Sequence, residues 1–210
     1  MSDLYAEIDN SVLLNFLFYP RRQHSKPIDG AFDLAIPVTD DVSIVCRAYP
    51  GAAEKPWILY FHGNGEVVSD YDGIAHLYQK RGLNLLVADY RGYGASGGKP
   101  TFTALVSDAG IILNYVLEEV LAKESSNDLF VMGRSLGSIS ALELASCFAN
   151  RLKGFIIESG FISVAGLVHH LGLPSPGDLS PLEKSYRALC ANIKLPALVI
   201  HGEQDRLVPL

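Results

Sequence analysis

The sequence predicts an α/β protein with a doubly wound, mostly parallel central sheet, and three observations lead to this prediction. Short apolar runs with little alternation recur along the chain, as expected of strands covered on both faces of a parallel sheet. Longer segments with apolar residues three and four apart separate these runs, as expected of amphipathic helices. The length of 210 residues is that of one domain, and strand–helix alternation favours a doubly wound architecture.

The first part of the chain is predicted to form a helical extension and a hairpin. We expect residues 1–30 to be an N-terminal helical extension and residues 31–210 to be the α/β domain. Val12–Tyr19 is apolar but too short for a membrane span, which needs about 20 residues, so a helix packed on the domain is expected. Phe32–Val38 and Val42–Tyr49 flank two aspartates and predict an antiparallel hairpin.

The rest of the chain alternates between strands and helices. Strands are predicted at five apolar runs: Trp57–Phe61, Leu83–Ala88, Leu129–Met132, Phe155–Ile157 and Ala197–Ile200. Helices are predicted at Tyr71–Arg81, Thr103–Lys123, Leu136–Ala149 and Pro181–Asn192. The longest helix carries an apolar stripe of Leu105, Ala109, Ile112, Val116 and Val120, which we expect to face the sheet. Residues 161–180, rich in Gly, Pro and Ser, are expected to form a short lid.

Composition and charge exclude several classes of function. The formal net charge is −6 and the Lys/Arg runs are short, which argues against nucleic-acid binding. The sequence shows no targeting signal or transmembrane segment, so a cytoplasmic location is predicted. The three cysteines, Cys46, Cys147 and Cys190, are expected to be buried and reduced. No cluster has metal-ligand spacing, and neither a metal nor an organic cofactor is predicted.

The strand Leu129–Met132 runs directly into Gly133-Arg134-Ser135-Leu136-Gly137, and a helical pattern follows. This arrangement predicts a nucleophile elbow, in which a sharp turn raises a serine hydroxyl above the sheet. Small residues at 133 and 137 allow the strand and the helix to approach closely. Ser135 is therefore the candidate nucleophile; the alternative is a serine that only caps the helix.

The loop after Trp57–Phe61 is a candidate oxyanion loop. An acyl-transfer site needs two N–H donors, one from the residue after the nucleophile and one from this loop. The sequence therefore assigns the oxyanion hole to Leu136 and Asn64. His62 is a conceivable base, but a ring that orients the loop is the favoured interpretation.

Two further loops follow predicted strands. In the glycine-rich loop Asp89–Ser96, Asp89 and Arg91 are expected to hold one another and the loop, and no phosphate-binding pattern follows. The loop after the last strand contains Asp205, an acid that would orient a catalytic histidine. Glu158, at the end of the preceding strand, is the rival acid; Asp205 is favoured because of its position in the chain.

These stretches together resemble the α/β-hydrolase superfamily, in particular its small serine hydrolases of the serine aminopeptidase-like and lysophospholipase-like branch. The matching segments are Tyr60–Gly65, Asp89–Pro100, Met132–Ser138 and His201–Pro209. The resemblance implies a serine hydrolase that cleaves a small-molecule ester, thioester or amide through an acyl-enzyme on Ser135. The alternative is a hydrolase-like protein that binds a ligand or partner without catalysis.

One departure from the family pattern concerns the catalytic histidine. In the family this residue follows one more helix and strand after the acid loop, and both elements are missing from this sequence. The chain has six histidines, all before Asp205: His24, His62, His76, His169, His170 and His201. We therefore expect either that the chain is truncated or that it lacks the triad base. A surface position is favoured for His169 and His170, with a base contributed from the lid as the alternative.

The missing strand also has a consequence for association. In the family's strand order it would pair with Ala197–Ile200. Without it, this apolar strand would be an open edge with unpaired N–H and C=O groups. We therefore expect either self-association through this edge or a longer natural protein in which the missing residues cover it.

Overall fold

The computed structural model describes residues 5–123, 128–161 and 163–208. Its central feature is a seven-stranded sheet in the order β1-β2-β4-β3-β5-β6-β7. The strands are β1 (Phe32–Pro37), β2 (Ser43–Tyr49), β3 (Trp57–Phe61), β4 (Asn84–Ala88), β5 (Leu129–Arg134), β6 (Gly154–Glu158) and β7 (Ala197–Ile200). Strands β3 to β7 are parallel, whereas β1 and β2 form an antiparallel hairpin. The predicted doubly wound sheet with an N-terminal hairpin is confirmed.

The parallel register aligns the carboxyl ends of the central strands. Phe61 of β3 pairs with Ala88 of β4 and with Gly133 of β5. Arg134 pairs with Glu158 of β6, which in turn pairs with Ile200 of β7. The loops that follow these residues therefore meet at one edge of the sheet, where ligands bind in this architecture.

Helices cover the sheet on both faces. They are α1 (Ala6–Asp9), α2 (Leu14–Leu17), α3 (Ala75–Gln79), α4 (Phe102–Tyr115), α5 (Ser138–Cys147), α6 (Val164–His170) and α7 (Ser180–Asn192). A π-helical turn, Val116–Val120, and a 3₁₀ turn, Leu121–Lys123, extend α4 to the predicted end of the long helix. Every residue of its predicted apolar stripe is buried. Helix α3 is shorter than predicted because a separate 3₁₀ turn, Val68–Tyr71, precedes it.

The N-terminal extension forms two short helices followed by an extended segment, rather than one helix over Val12–Tyr19. Leu13, Leu17 and Phe18 are buried in the main core. The carboxylate of Asp9 accepts hydrogen bonds from the N–H groups of Phe102 and Thr103, at 2.8 and 3.0 Å. These N–H groups begin α4, where no intrahelical acceptor exists, so Asp9 fastens the extension to the domain.

Two expectations about exposed groups have different outcomes. Cys46 is buried as predicted, but Cys147 is exposed and Cys190 is half-buried. Cys147 lies on the outer side of α5 and Cys190 packs only partly against the core, which their apolar neighbours in sequence do not reveal. Strand β7 is an edge of the described sheet, and all four of its residues are exposed.

Candidate active site

Ser135 lies on a strained turn between β5 and α5. Its backbone φ is +49°, in the left-handed region that residues with a side chain rarely adopt. A 3₁₀ turn, Ser135–Gly137, leads directly into α5. Such strain at a strand–helix junction is the geometry that a nucleophile elbow requires.

The two glycines of the motif are required because a side chain at either position would clash with neighbouring atoms. A Cβ atom on Gly133 would collide with the backbone of Gly137 and with the Ala141 methyl group. A Cβ atom on Gly137 would collide with the carbonyl of Phe61 and with the Tyr90 hydroxyl. The glycines thus allow α5 to start close to the ends of β3 and β5, and the turn between them raises Ser135.

Ser135 opens into a cavity of about 230 Å³. Its lining residues are Phe16, Leu17, Tyr19, Asn64, Ser135, Leu136, Phe161, Leu167, Leu171, Leu207 and Val208. Asn64 and Leu136, the two predicted oxyanion donors, therefore share the cavity with the predicted nucleophile. Apart from Asn64, Ser135 and the hydroxyl of Tyr19, the side chains in this lining are apolar, and none carries a charge.

The Asn64 side chain is held by three groups. Its Oδ1 accepts hydrogen bonds from the Tyr19 N–H at 2.9 Å and from the Tyr93 hydroxyl at 2.6 Å. Its Nδ2 donates to the Leu17 carbonyl at 2.9 Å. These contacts hold the Asn64 side chain in place, and the backbone N–H of Asn64 is the group predicted to donate to an oxyanion.

His62 is fully buried beneath the oxyanion loop. One ring nitrogen is 2.8 Å from the Gly63 carbonyl and the other is 3.1 Å from Asp89 Oδ1. Both nitrogens are therefore engaged, as expected of a ring that orients the loop and does not act as a base. The Tyr90 hydroxyl also donates to the carbonyl of His62, at 2.5 Å.

The prediction that Asp89 and Arg91 pair with each other is wrong. Asp89 accepts from His62 and from the Val68 N–H, whereas Arg91 forms a bidentate pair with Asp108 of α4 at 2.7 Å. Both residues follow the end of β4 at Ala88, where the regular strand geometry has stopped, and the Arg91 side chain reaches the helix that packs beside the loop.

Glu66 connects the oxyanion loop to the elbow, a role that its position in the sequence did not reveal. One carboxylate oxygen accepts from the Gly63 N–H at 2.8 Å and from the Tyr71 hydroxyl at 2.7 Å. The other accepts from Arg134, the residue before Ser135, at 2.5 Å. Glu66 is therefore bonded to both backbone segments that carry the predicted catalytic groups.

Asp205 lies in the loop after β7 and is ordered by backbone donors. Its Oδ1 accepts from the N–H groups of Leu207 and Val208, at 3.0 and 2.9 Å. The Val208 N–H is the main cause that lowers the pKa of Asp205 below its ordinary value, and the Ser159 side chain contributes. Ser159 also has a left-handed backbone, with φ of +43°. The acid is thus ionised near neutral pH and fixed next to the end of β6.

Glu158 has different partners. Its carboxylate accepts from the Tyr60 hydroxyl at 3.3 Å and lies 3.7 Å from Arg134 Nε. This acid is therefore engaged in the network that includes Glu66, and does not line the cavity at Ser135.

Within the described ranges, no histidine side chain lines the cavity at Ser135. His169 and His170 are exposed at the end of α6, as favoured from the sequence, and His170 is 2.9 Å from the Arg206 carbonyl. His201 lies 2.7 Å from the Val208 carbonyl and 3.9 Å from Asp205. Its ring supports the acid loop from within and is not among the groups that line the cavity.

Comparison with known families decides the identity of the fold. The family model described as "Serine aminopeptidase, S33" matches residues 52–182, more than half of the chain. The chain belongs to this family of α/β-hydrolases. The matched range contains the predicted oxyanion loop, the predicted elbow and helix α6 of this hydrolase.

Curated relatives of this hydrolase include protein bem46 of Schizosaccharomyces pombe, 29% identical over 161 residues. The alignment covers 74% of this chain and 53% of bem46. The alpha/beta hydrolase domain-containing protein WAV2 of Arabidopsis thaliana is 29% identical over 169 residues, which cover 73% of this chain and 54% of WAV2. The chain thus spans about half the length of these relatives.

Solved structures similar to this hydrolase include the esterases Pf2001 and Est1E. Esterase Pf2001 of Pyrococcus furiosus superposes with a TM-score of 0.69 at 21% identity, over 92% of this chain and 79% of the esterase. Est1E of Butyrivibrio proteoclasticus, solved with ferulic acid bound, gives 0.67 at 19% identity, over 84% and 81% of the two chains. At these identities the likeness is one of fold.

Two further findings concern metal-ligand groups and membrane-spanning helices. Among the residues described, no three His, Cys, Asp or Glu side chains are grouped so that they could hold a metal ion. In the same part of the chain, no helix has the length and apolar character that a membrane crossing demands.

Proposed function

We propose that this α/β-hydrolase is a serine hydrolase of carboxylic esters, thioesters or small amides. The observation that carries the proposal is the left-handed backbone of Ser135 on the turn between β5 and α5. A residue with a side chain is held in such a conformation only when the surrounding structure imposes it, and such strain clusters at functional sites. A binding protein without catalytic activity has no need for this strain, so the alternative of a non-catalytic ligand-binding protein is disfavoured.

In the proposed reaction, Ser135 Oγ attacks the carbonyl carbon of the substrate. The new C–O bond converts the carbonyl oxygen into an oxyanion, which the backbone N–H groups of Leu136 and Asn64 stabilise. The tetrahedral intermediate then expels the leaving group, which takes up the proton that Ser135 lost to a base. Water hydrolyses the resulting acyl-enzyme by the same steps and restores the serine.

Asp205 is the proposed acid of the site. Its low pKa and its backbone donors keep it ionised and oriented. An acid in this role fixes an imidazole and stabilises the imidazolium that forms when the serine loses its proton. None of the six histidines is assigned as that imidazole, because His62 and His201 are engaged elsewhere and the others do not line the cavity.

The cavity supports an uncharged, apolar acyl group as the substrate portion next to Ser135. Its lining carries no charged side chain that could neutralise an ionised substrate. Burial of a charge without a partner is costly, whereas each buried CH₂ group contributes about 0.8 kcal/mol.

Labelling with a fluorophosphonate probe, followed by mass spectrometry of the modified peptide, tests the proposal. We expect modification of Ser135 and none in Ser135→Ala. Ser138→Ala is the matched control, since Ser138 lies three residues further on in α5 and its hydroxyl bonds to the Ser135 carbonyl at 2.6 Å. Modification of another serine, or undiminished ester hydrolysis by Ser135→Ala, would show that the assignment is wrong.

A further inference from the structure

The N-terminal strap, defined as residues 16–21, comprises the end of α2 and the extended segment after it, and it lies against the predicted catalytic loops. It follows the buried part of the extension and contributes Phe16, Leu17 and Tyr19 to the cavity at Ser135. The family match begins at residue 52, so the strap lies outside it. Its contacts therefore indicate a role that the family resemblance does not supply.

We propose that the strap contributes to the active site in two ways. It positions the oxyanion loop, and it forms the wall of the cavity that selects apolar acyl groups. This inference rests on the proposed function, because it assigns roles relative to the nucleophile Ser135.

The first part of the inference is carried by hydrogen bonds between the strap and the segment 64–70. Asn64 exchanges hydrogen bonds with the strap on both sides of its amide, with the Leu17 carbonyl and with the Tyr19 N–H. Tyr93 closes this arrangement, because its hydroxyl accepts from the Tyr19 N–H at 3.1 Å and donates to Asn64. Asn64, whose backbone N–H is the predicted oxyanion donor, is thus held to the strap through its side chain.

Arg21 makes the second connection. Its guanidinium donates to the Gly65 carbonyl at 3.1 Å and forms a bidentate pair with Asp70 at 2.8 and 2.9 Å. Asp70 in turn accepts from the Val67 N–H at 3.1 Å. Gly65 has a φ of +77°, so the chain reverses direction at the point that Arg21 holds. Bidentate geometry fixes orientation as well as distance.

Arg22 provides a natural comparison. It is the first residue after the strap, and its guanidinium donates to the carbonyls of Ser96 and Gly98, in the loop after β4. Arg22 therefore fastens the strap to the domain without a contact to the oxyanion loop. The two arginines separate the effect of strap attachment from the effect of loop positioning.

The second part of the inference concerns the wall of the cavity. Phe16 and Tyr19 line the cavity but remain 55% and 62% exposed, so each has apolar surface that a ligand can cover. Leu171, at the end of α6, and Leu207, in the loop that contains Asp205, complete the apolar rim of the cavity. Val12 is exposed on the preceding turn of the chain and is not part of the cavity lining.

The positioning role is tested by the rate constant of fluorophosphonate labelling at Ser135 in the 210-residue chain, with imidazole added as the base. We expect Arg21→Ala to lower this constant at least about tenfold, because misplacement of a catalytic group by about 1 Å can cost about 100-fold. Arg21→Lys should restore part of the rate, since it keeps a charge opposite Asp70. Arg22→Ala should label at the parent rate.

The selectivity role is tested with acetyl, hexanoyl and octanoyl esters of one alcohol, hydrolysed under the same conditions. We expect Phe16→Ala and Tyr19→Ala to lower kcat/KM for the longer esters by about tenfold relative to the acetyl ester. Each variant removes apolar contact equivalent to the burial of about one to two CH₂ groups of the acyl chain. Val12→Ala should leave the chain-length preference unchanged.

The outcomes separate the two levels of the proposal. Equal labelling rates in Arg21→Ala and Arg22→Ala, with equal melting temperatures, would overturn the positioning role while Ser135 remains the nucleophile. An unchanged chain-length preference in both wall variants would overturn the selectivity role. Absence of labelling at Ser135 in the parent chain, with imidazole present, would overturn the proposed function itself.

Discussion

Gly137 packs its Cα directly against the backbone carbonyl of Phe61, so that a Cβ atom at position 137 would lie well inside 3.0 Å of that oxygen. This contact joins the first turn before α5 to the last residue of β3. It sets the distance between the elbow that carries Ser135 and the loop that carries Asn64. The proposed active site therefore depends on the absence of a single methyl group.

Gly137→Ala is expected to destabilise the protein by about 3 kcal/mol, the upper end for overpacking, because a backbone carbonyl cannot rotate away as a side chain can. Urea denaturation measures the change in the free energy of unfolding. Gly73→Ala is the matched control, since nothing lies within 4 Å of its added Cβ. Equal stability of the two variants would contradict the close packing at Gly137.

The 210-residue chain is expected to turn over esters very slowly in buffer, because no histidine lines the cavity at Ser135. Loss of the triad histidine from a serine protease costs about 10⁶ in kcat, and a similar order is expected here. Added imidazole should raise the rate in proportion to its neutral form and only when Ser135 is present. Rapid turnover without imidazole would reveal a base within the chain, and His169→Ala and His170→Ala would then identify it.

The imidazole-dependent rate should require the carboxylate of Asp205. We expect Asp205→Asn to lower it at least tenfold, because a neutral amide does not stabilise imidazolium as a carboxylate does. Glu158→Gln should have little effect, since Glu158 bonds to Tyr60 and lies near Arg134. The reverse order of effects would make Glu158 the acid of the site.

Glu143 is expected to destabilise the fold at neutral pH. Burial in α5 raises its pKa above the ordinary value, so the folded state holds the proton more tightly than the unfolded state. This cost is present above the raised pKa and disappears as the pH falls below the ordinary value. Glu143→Gln should therefore increase the free energy of unfolding at pH 8 and leave it nearly unchanged at pH 4.

The control for this pH dependence is Glu183→Gln. Glu183 is partly exposed on α7 and pairs with Arg187 four residues later at 2.8 Å. Surface pairs of this kind contribute about 0.3–0.5 kcal/mol, so this variant should be slightly less stable at pH 8. A loss of stability at pH 8 in Glu143→Gln would contradict the raised pKa.

Strand β7 is expected to mediate self-association, because its apolar residues are exposed along an edge of the sheet. Val199, 63% exposed, is the residue to change. A lysine on an edge strand discourages pairing, so Val199→Lys should shift the chain towards monomer in light scattering. Ile28→Lys, an exposed apolar position outside the sheet, should not. A parent chain that is already monomeric at high concentration would refute the edge contact.

Residue periodicity and local spacing were sufficient to predict the order and type of the sheet elements and the strand–turn–helix context of Ser135. Strand β3 and strand β7 were predicted with the bounds that the structure shows, because each is a short, uninterrupted apolar run. The buried apolar stripe of α4 and its continuation was predicted from the spacing of apolar residues three and four apart. The placement of Ser135 in a strained turn followed from the two glycines that flank it at local spacing.

The partners of the loops depended on tertiary structure. Arg91 was expected beside Asp89 but binds Asp108, and the predicted helix Val12–Tyr19 is interrupted so that its continuation can lie along Asn64. Glu66 and Arg21 gave no signal, since their roles depend on residues 68 and 49 positions away. Periodicity reports which face of an element is buried, whereas a charged side chain in a loop finds its partner only when distant strand ends meet at one edge of the sheet.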